Sequence, residues 1–367
     1  MGYLGRALPA AAVVAVALGG IAVAQGGGSA TDSPRAVVEA QSTGATPAAQ
    51  HSPFDFAASG DKAKAIEAAE AAGGEGKVIG GQLAGEGAWP WQVGLVIAGE
   101  PVGPDSQFCG GSLVLDTWVL TAAHCIHMQD PQGNWRDIPA DRIMVVAGTN
   151  QLAPGRGDLI PVAGIYRHPD YLGTEFDNDI ALIKLARAPK VPYETITVPD
   201  AEFGEVLDQP GVPTIVTGWG LVNGGGHPSE MYQAEIQMMS RDLCNGAIME
   251  ARASEAAGAF MHAAQTFQLS DEDTDVAWGA LVEKAPLPLS ENMICSGTFE
   301  GGKTSCQGDS GGPLVVPLED GTYIQAGIVS WGLSASATST CAEDAPFSAY
   351  TKISNYVGWL EATINAN

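Results

Sequence analysis

Gly308-Asp309-Ser310-Gly311-Gly312-Pro313 surrounds one serine with the residue types that a nucleophile needs. Glycines let the backbone approach a substrate carbonyl closely and adopt angles that a Cβ penalises. The amides of Gly308 and Ser310 can point together at a developing oxyanion. Asp309 is a charge beside the nucleophile and must find a partner if it is buried. A Gly-rich hexapeptide alone also fits an ordinary loop, so the rest of the chain has to decide. Hydrolysing an amide with serine needs a base for the hydroxyl proton and an acid to orient that base. Ala122-Ala123-His124-Cys125 offers the base, at the end of a strand-like run and beside a cysteine that can fix its loop. Asp177-Asn178-Asp179-Ile180-Ala181-Leu182 offers the acid, with Asp179 entering a strand. Singly each is weak, because a lone histidine or strand-end aspartate is usually structural. Together they describe serine-based acyl transfer.

These residues must be positioned by short strands. From Val78 onward, apolar runs rich in Val, Ile and Trp recur between Gly, Pro, Asn and Asp: Gln92–Ile97, Ser112–Leu115, Trp118–Thr121, Ile143–Val146, Ile180–Leu185, Thr214–Thr217 and Ile324–Ser330. That punctuation predicts an all-β barrel or sandwich. Ile353, Tyr356, Val357, Leu360 and Ile364 fall at helical spacing and predict one amphipathic C-terminal helix. Asn245 to Leu289 breaks the β pattern. It is Ala-rich and reads as helical in its first half, then acidic through Ser270–Asp275, so a surface insertion at about 245–290 is expected, with a substrate-shaping or partner-binding loop as the sharper alternative. His127, His168, His227 and His262 read as surface residues, and Met238-Met239 as core.

The 367 residues carry 42 acidic against 17 basic side chains, a formal net charge of −25. Nucleic acid is excluded as a partner by that balance, which suits a soluble protein. Residues 1–24 read as a secretory signal peptide: Arg6 supplies the positive end, Ala7 to Leu18 the apolar run, and Ala22-Val23-Ala24 the cleavage site before Gln25. No later segment is long enough to span a membrane. Residues 25–77, poor in large apolar side chains, read as a disordered pro-segment. Export permits disulfides, and the six cysteines are an even number. With no CxxC or Cys/His ligand spacing, no metal and no cofactor are expected.

The motifs Val78-Ile79-Gly80-Gly81, Trp89-Pro90-Trp91-Gln92-Val93, Cys109-Gly110-Gly111-Ser112-Leu113, Thr121–Cys125, Asp177–Leu185, Thr217-Gly218-Trp219-Gly220, Gly308–Pro313, Ser330-Trp331-Gly332 and Tyr350-Thr351-Lys352 follow one another as in trypsin-like, chymotrypsin-fold serine peptidases. The resemblance covers 78–367 apart from insertions. It implies an all-β fold of two six-stranded antiparallel barrels packed around a catalytic cleft, with a C-terminal α-helix and a partly helical insertion. It implies Ser310 as nucleophile, His124 as base and then acid, Asp179 as orienting carboxylate, and the amides of Gly308 and Ser310 as oxyanion hole. Thr304, Ser305, Gln307, Ser330, Trp331, Gly332 and Ser348 correspond to the substrate-binding set. Sequence alone allows fifteen disulfide connectivities; the resemblance implies Cys109–Cys125, Cys244–Cys295 and Cys306–Cys341. The expected product is a secreted, extracellular or periplasmic monomer acting on protein or peptide substrates, with protein inhibitors as further partners.

Two finer expectations follow from the resemblance. Lys77 precedes what resembles an activation site whose first two apolar residues are exchanged. Cleavage there by an activating protease would free the Val78 ammonium to pair with Asp309 and order the oxyanion loop. An α-amino group titrates near ~8, and burial with Asp309 would raise that, so activity should fall only at alkaline pH. Gln107 stands where many members carry a histidine that holds this aspartate before activation. The second expectation concerns specificity. Trypsin has an aspartate six residues before the nucleophile, where this chain has Thr304. A bound Lys or Arg would then be buried unpaired, which favours apolar or aromatic P1 residues and forbids self-cleavage after Lys77. One pocket wall is open at Gly332. The other is Ser348 or, because Pro346-Phe347-Ser348-Ala349 runs one residue long, Phe347; the register counted from Tyr350 favours Ser348. Cleavage after Lys or Arg, and a catalytically silent binding protein on the same fold, are the alternatives.

Overall fold

The computed structural model describes residues 81–130, 132–173, 176–222, 226–298, 303–332 and 347–367. The expected signal peptide and pro-segment, Lys77, Val78 and Cys341 lie outside the described residues. The short strand β1 (Gln82–Leu83) leads into a closed barrel of β2 (Gln92–Ile97), β3 (Gln107–Leu115), β4 (Trp118–Thr121), β7 (Ile143–Ala147), β8 (Asp158–Arg167) and β9 (Ala181–Leu185), joined in the order β2-β3-β4-β9-β8-β7. Between β4 and β7 a hairpin of β5 (His127–Gln129) and β6 (Trp135–Asp137) projects from the barrel. After helix α1 (Ala201–Leu207), a second barrel follows: β10 (Pro213–Gly218), β11 (Tyr232–Met239), β12 (Met293–Gly297), β13 (Pro313–Pro317), β14 (Tyr323–Gly332) and β15 (Phe347–Lys352). Its order is β11-β10-β13-β14-β15-β12, closed by β11 against β12, and β1 adds to it along β11. The strand pairs are antiparallel, as the resemblance implies. Closure removes the unpaired edges that so many short strands would otherwise expose.

Side-chain alternation shows why these segments form strands. In β11, Tyr232, Ala234, Ile236 and Met238 are buried while Gln233, Glu235 and Gln237 face outward to varying degrees. Most of β9 is buried on both faces, since one side fills its barrel and the other meets neighbouring structure. One large core runs through the first barrel and gathers Trp89, Trp91, Leu113, Leu120 and Ile183 with Tyr356 and Leu360 from the C-terminal segment. A separate core fills the second barrel around Val216, Leu314, Ile324 and Tyr350. The C-terminal helix α4 (Val357–Ala366) forms as expected and buries Leu360, while Ile353 and Tyr356, expected within it, lie in the 3-10 turn that precedes it.

The insertion is more helical than expected. It is a hairpin of α2 (Arg241–Thr266) and α3 (Asp271–Lys284), so the acidic stretch begins a helix rather than a loop. Ser270 caps α3 by accepting the Asp273 amide at 3.1 Å, and Asp271, Glu272 and Asp273 lie where the helix dipole favours negative charge. Ala253 and Ala257 on α2 leave room for the buried Trp278 of α3, with Phe260 and Val282 completing a small core of its own.

Candidate active site

His124 sits in a one-turn 3-10 helix, Ala123–Cys125, directly after β4. Asp179 lies two residues before β9, and β4 and β9 pair through Thr121 and Ala181. Adjacent strand ends therefore deliver the two side chains to one place. The His124 Nδ1–H donates to Asp179 Oδ2 at 2.7 Å, and the His124 backbone N–H donates to Oδ1 at 2.8 Å. Ser330 Oγ donates to Oδ2 at 2.5 Å, and Thr351 Oγ1 donates to the Asp179 carbonyl at 2.7 Å. Asp179 is fully buried. A buried carboxylate that holds Nδ1–H leaves Nε2 as the free proton acceptor, the form a general base requires. The Phe176 ring packs edge-on to the imidazole, with centroids 5.6 Å apart.

Ser310 is half-buried on the turn before β13. Its carbonyl accepts the Gly110 N–H at 2.7 Å, which ties the turn to β3 of the first barrel. Gly311 has φ +79°, and a Cβ there would run into the Thr121 hydroxyl, the Gly110 carbonyl and Cys125 Sγ. The nucleophile turn is thus packed against the residues that flank His124. Gly308 has φ +98°, and its carbonyl accepts Gln107 Nε2 at 2.7 Å. Gln107 therefore holds the Gly308 carbonyl, not the Asp309 carboxylate.

Asp309 is buried in a slot between Gly218 and Gly220, either of which would collide with its carboxylate if it carried a Cβ. The Gly220 and Cys306 amides donate to it at 2.8 and 2.9 Å. Burial pushes its pKa up to about 6, against the pull of those two amides. Among the described residues no cation pairs with it.

The expected pocket residues also converge. Thr304 Oγ1 and Ser348 Oγ share a hydrogen bond at 2.5 Å, both side chains buried. Ser348 is paired with Gly332 across β14 and β15, and a Cβ on Gly332 would lie 3.3 Å from Ser348 Oγ. Phe347 points the other way, into the apolar cluster of Met239, Cys244, Ile248 and Met293 at the root of the insertion. Ser348, rather than Phe347, thus lies beside Thr304. Ser305 is buried next to Thr304, while Gln307 and Trp331 are half-buried and Gly332 is open to solvent.

Cys109 is joined to Cys125 and Cys244 to Cys295. Cys306 is also disulfide-bonded. Cys109, His124 and Cys125 lie close enough together to suggest a metal site, but both sulfurs are consumed by their disulfide and no thiolate is available. Two histidines read as surface residues are buried instead. His127 stacks on Trp135 and bonds Asp137 at 2.5 Å. His227 bonds the Trp219 carbonyl at 3.2 Å, and a Cβ on Gly308 would lie 2.8 Å from its Cε1. The half-buried His168 rests on Tyr356 and Trp359, and His262 is exposed. His127 finds its partners close by across the β5–β6 hairpin, whereas His168 packs on the distant C-terminal segment and His227 lies beside the distant Gly308.

Residues 78–360 match the trypsin family. Anionic trypsin of Canis lupus familiaris is 32% identical over 298 residues, spanning 79% of this chain and 91% of that protein. Putative trypsin-6 of Homo sapiens is 31% identical with the same two coverages, and trypsin of Sus scrofa is 30% identical over 79% of this chain and 97% of its own length. The two-barrel frame, its disulfides and this shared sequence agree, and the chain belongs to the trypsin family of serine endopeptidases.

Proposed function

We propose that the protein is a secreted serine endopeptidase, made as a zymogen, that cleaves after apolar or aromatic rather than basic residues. Ser310 attacks the scissile carbonyl while His124 Nε2 takes its proton. Asp179 holds the imidazole in the required tautomer, and the amides of Gly308 and Ser310 receive the oxyanion. His124 then returns the proton to the leaving amine, and water repeats the sequence on the acyl-enzyme. The edge of β14 at Ser330–Gly332 binds the substrate backbone as an added strand.

The Thr304–Ser348 hydroxyl pair is the observation that carries the specificity. One hydroxyl donates to the other and neither is charged, so the floor is polar but neutral. A Lys or Arg there would lose its water without gaining a carboxylate from Thr304, Ser305 or Ser348, at a cost of about 3–5 kcal/mol. Trp331 and Gly332 leave an apolar, open approach. Cleavage after Lys or Arg, the alternative reading, needs a charge that no described residue of this pocket supplies. The bonded His124–Asp179 pair argues against a catalytically silent binder.

The zymogen reading rests on Asp309, a buried carboxylate with two amide donors and no cation among the described residues. Cleavage after Lys77 would supply one as the Val78 ammonium. Because the proposed pocket rejects lysine, a separate protease performs that cut. Peptide-library profiling of the chain cleaved after Lys77, with Ser310→Ala as the blank, tests both points. Aromatic and large apolar P1 residues should exceed Lys and Arg by at least about tenfold in kcat/KM. Equal or better turnover after Lys or Arg, or self-cleavage at Lys77 by wild type but not by Ser310→Ala, would overturn the specificity.

A further inference from the structure

The helical insertion ends beside the turn that carries Asp179. Ser290 Oγ donates to Asp177 Oδ1 at 2.6 Å, and Asn292 Nδ2 donates to the same oxygen at 3.1 Å. Asn178 Nδ2 reaches Asp177 Oδ2 at 3.3 Å. Asn178 itself has φ +58°, a left-handed conformation that a residue with a side chain adopts at some cost. Tyr356 OH holds its Oδ1 at 3.1 Å from the far side. The three-residue turn Asp177-Asn178-Asp179 is therefore gripped at its first two residues, and its third is the carboxylate that holds His124.

The donors are themselves fixed. Asn292 Oδ1 accepts Asn355 Nδ2 at 3.0 Å, which sets the amide so that its Nδ2 faces Asp177. Ser290 follows Leu289, whose N–H donates to Asn245 Oδ1 at 2.7 Å and whose carbonyl accepts Asn245 Nδ2 at 3.3 Å. Asn245 belongs to α2, next to Cys244, which is disulfide-bonded to Cys295 of β12. Phe176, one residue before Asp177, packs on the apolar cluster that holds Cys244, Ile248 and Leu289, and also against the His124 ring. The root of the insertion thus touches both members of the base–acid pair at one remove.

We propose that Ser290 and Asn292 are positioning residues for catalysis, and that the root of the helical insertion is a brace that aims Asp179 at His124 through Asp177. This inference rests on the proposed roles of His124, Asp179 and Ser310. Without the two donors, Asp177 loses the partners that orient it, the left-handed turn relaxes, and the Asp179 carboxylate swings off the imidazole axis. Misplacement on the ångström scale lowers turnover while leaving substrate binding in place.

The experiment compares wild type, Ser290→Ala, Ser290→Thr and the double change Ser290→Ala/Asn292→Ala in two measurements. Steady-state kinetics on the chain cleaved after Lys77 should show kcat reduced about tenfold in the double variant, with KM within about twofold and the single Ser290→Ala intermediate. Ser290→Thr, which keeps the hydroxyl, should restore wild-type kcat. The low-field proton resonance of His124 Nδ1–H, recorded on the full chain without turnover, should shift upfield or broaden away in the double variant and persist in Ser290→Thr. Unchanged kcat and an unchanged resonance in Ser290→Ala and in the double variant would overturn the brace. So would a raised KM at constant kcat, which would place the effect on substrate contact instead. If the double variant fails to fold, the Ser290→Ala and Ser290→Thr pair decides alone. Failure of the wild type to react with a serine-directed phosphonate would defeat the role of Ser310, while the imidazole resonance would still report on the brace.

Discussion

The two barrels contribute to the site under different conditions. The first supplies His124 and Asp179 from neighbouring strand ends, and each polar atom of the Asp179 carboxylate has a partner: the His124 amide, the imidazole and Ser330. The second supplies Ser310 on a turn that Gly110 and Gln107 tie to the first barrel and that buries one carboxylate, Asp309, held by two amides. Strand pairing brings His124 and Asp179 together, and Ser330 and Thr351 of the second barrel complete the set of partners. Under the proposed zymogen reading, the nucleophile half responds to what neutralises Asp309. On that reading the proton-transfer pair is ready beforehand and the oxyanion loop is what cleavage switches.

The largest expected effect tests the complete half. Asp179→Asn should lower kcat by about 10⁴-fold with KM little changed, since an amide stabilises the wrong imidazole tautomer. Pre-steady-state burst kinetics, which count active sites separately from turnover, would measure it. A loss below about a hundredfold would mean that His124 is oriented by something other than this carboxylate, and the contrast between the barrels would fail.

The conditional half should show itself in stability. The folded chain holds the Asp309 pKa at about 6, above its ordinary 3.8, because burial disfavours the charge. Stability from this group is therefore fully present below about pH 4 and is lost as pH rises through about 6. The shift corresponds to ~3 kcal/mol at neutral pH. Thermal unfolding of the uncleaved chain from pH 4 to 7, wild type minus Asp309→Asn, should favour wild type increasingly toward acid. After cleavage at Lys77 the paired ammonium should favour the ionised carboxylate and flatten or reverse that trend. A flat difference before cleavage would show that Asp309 already has a cation, and the switch would lose its basis.

The same contrast explains what the sequence could reveal. Ser310, His124 and Asp179 were legible because each chemical role needs one residue type in a short, distinctive context. The barrels were legible because apolar runs such as Trp118–Thr121 and Gln92–Ile97 are strands from end to end. Helix α3 was missed although Ser270-Asp271-Glu272-Asp273 carries a local N-terminal signal, the cap and the acidic first turn. Ser290 and Asn292 had no such signal, since their partner Asp177 lies 113 and 115 residues away. The buried His227 is similar only in part, because Gly308 beside it is distant while its hydrogen-bond partner Trp219 is eight residues away. Long-range polar contacts leave no period and no spacing to read.

The smallest effect concerns the place where the barrels meet. Gln107 belongs to β3 of the first barrel, yet its Nε2 donates to the Gly308 carbonyl of the second. The peptide between Gly308 and Asp309 is thereby fixed at both ends, because the Asp309 N–H donates to the Cys306 carbonyl at 3.0 Å. Gln107→Leu keeps most of the volume and removes this donor, leaving a buried carbonyl short of a partner at a cost of about 1–2 kcal/mol. If that cost falls on the oxyanion loop in the transition state, kcat should drop about 5- to 30-fold with KM unchanged. An equal fall in thermal stability with full kcat would place the bond in the fold rather than in catalysis. A loss approaching that of Asp179→Asn would show that the nucleophile half leans on the first barrel as heavily as His124 does, and the two halves would have to be regarded as one unit.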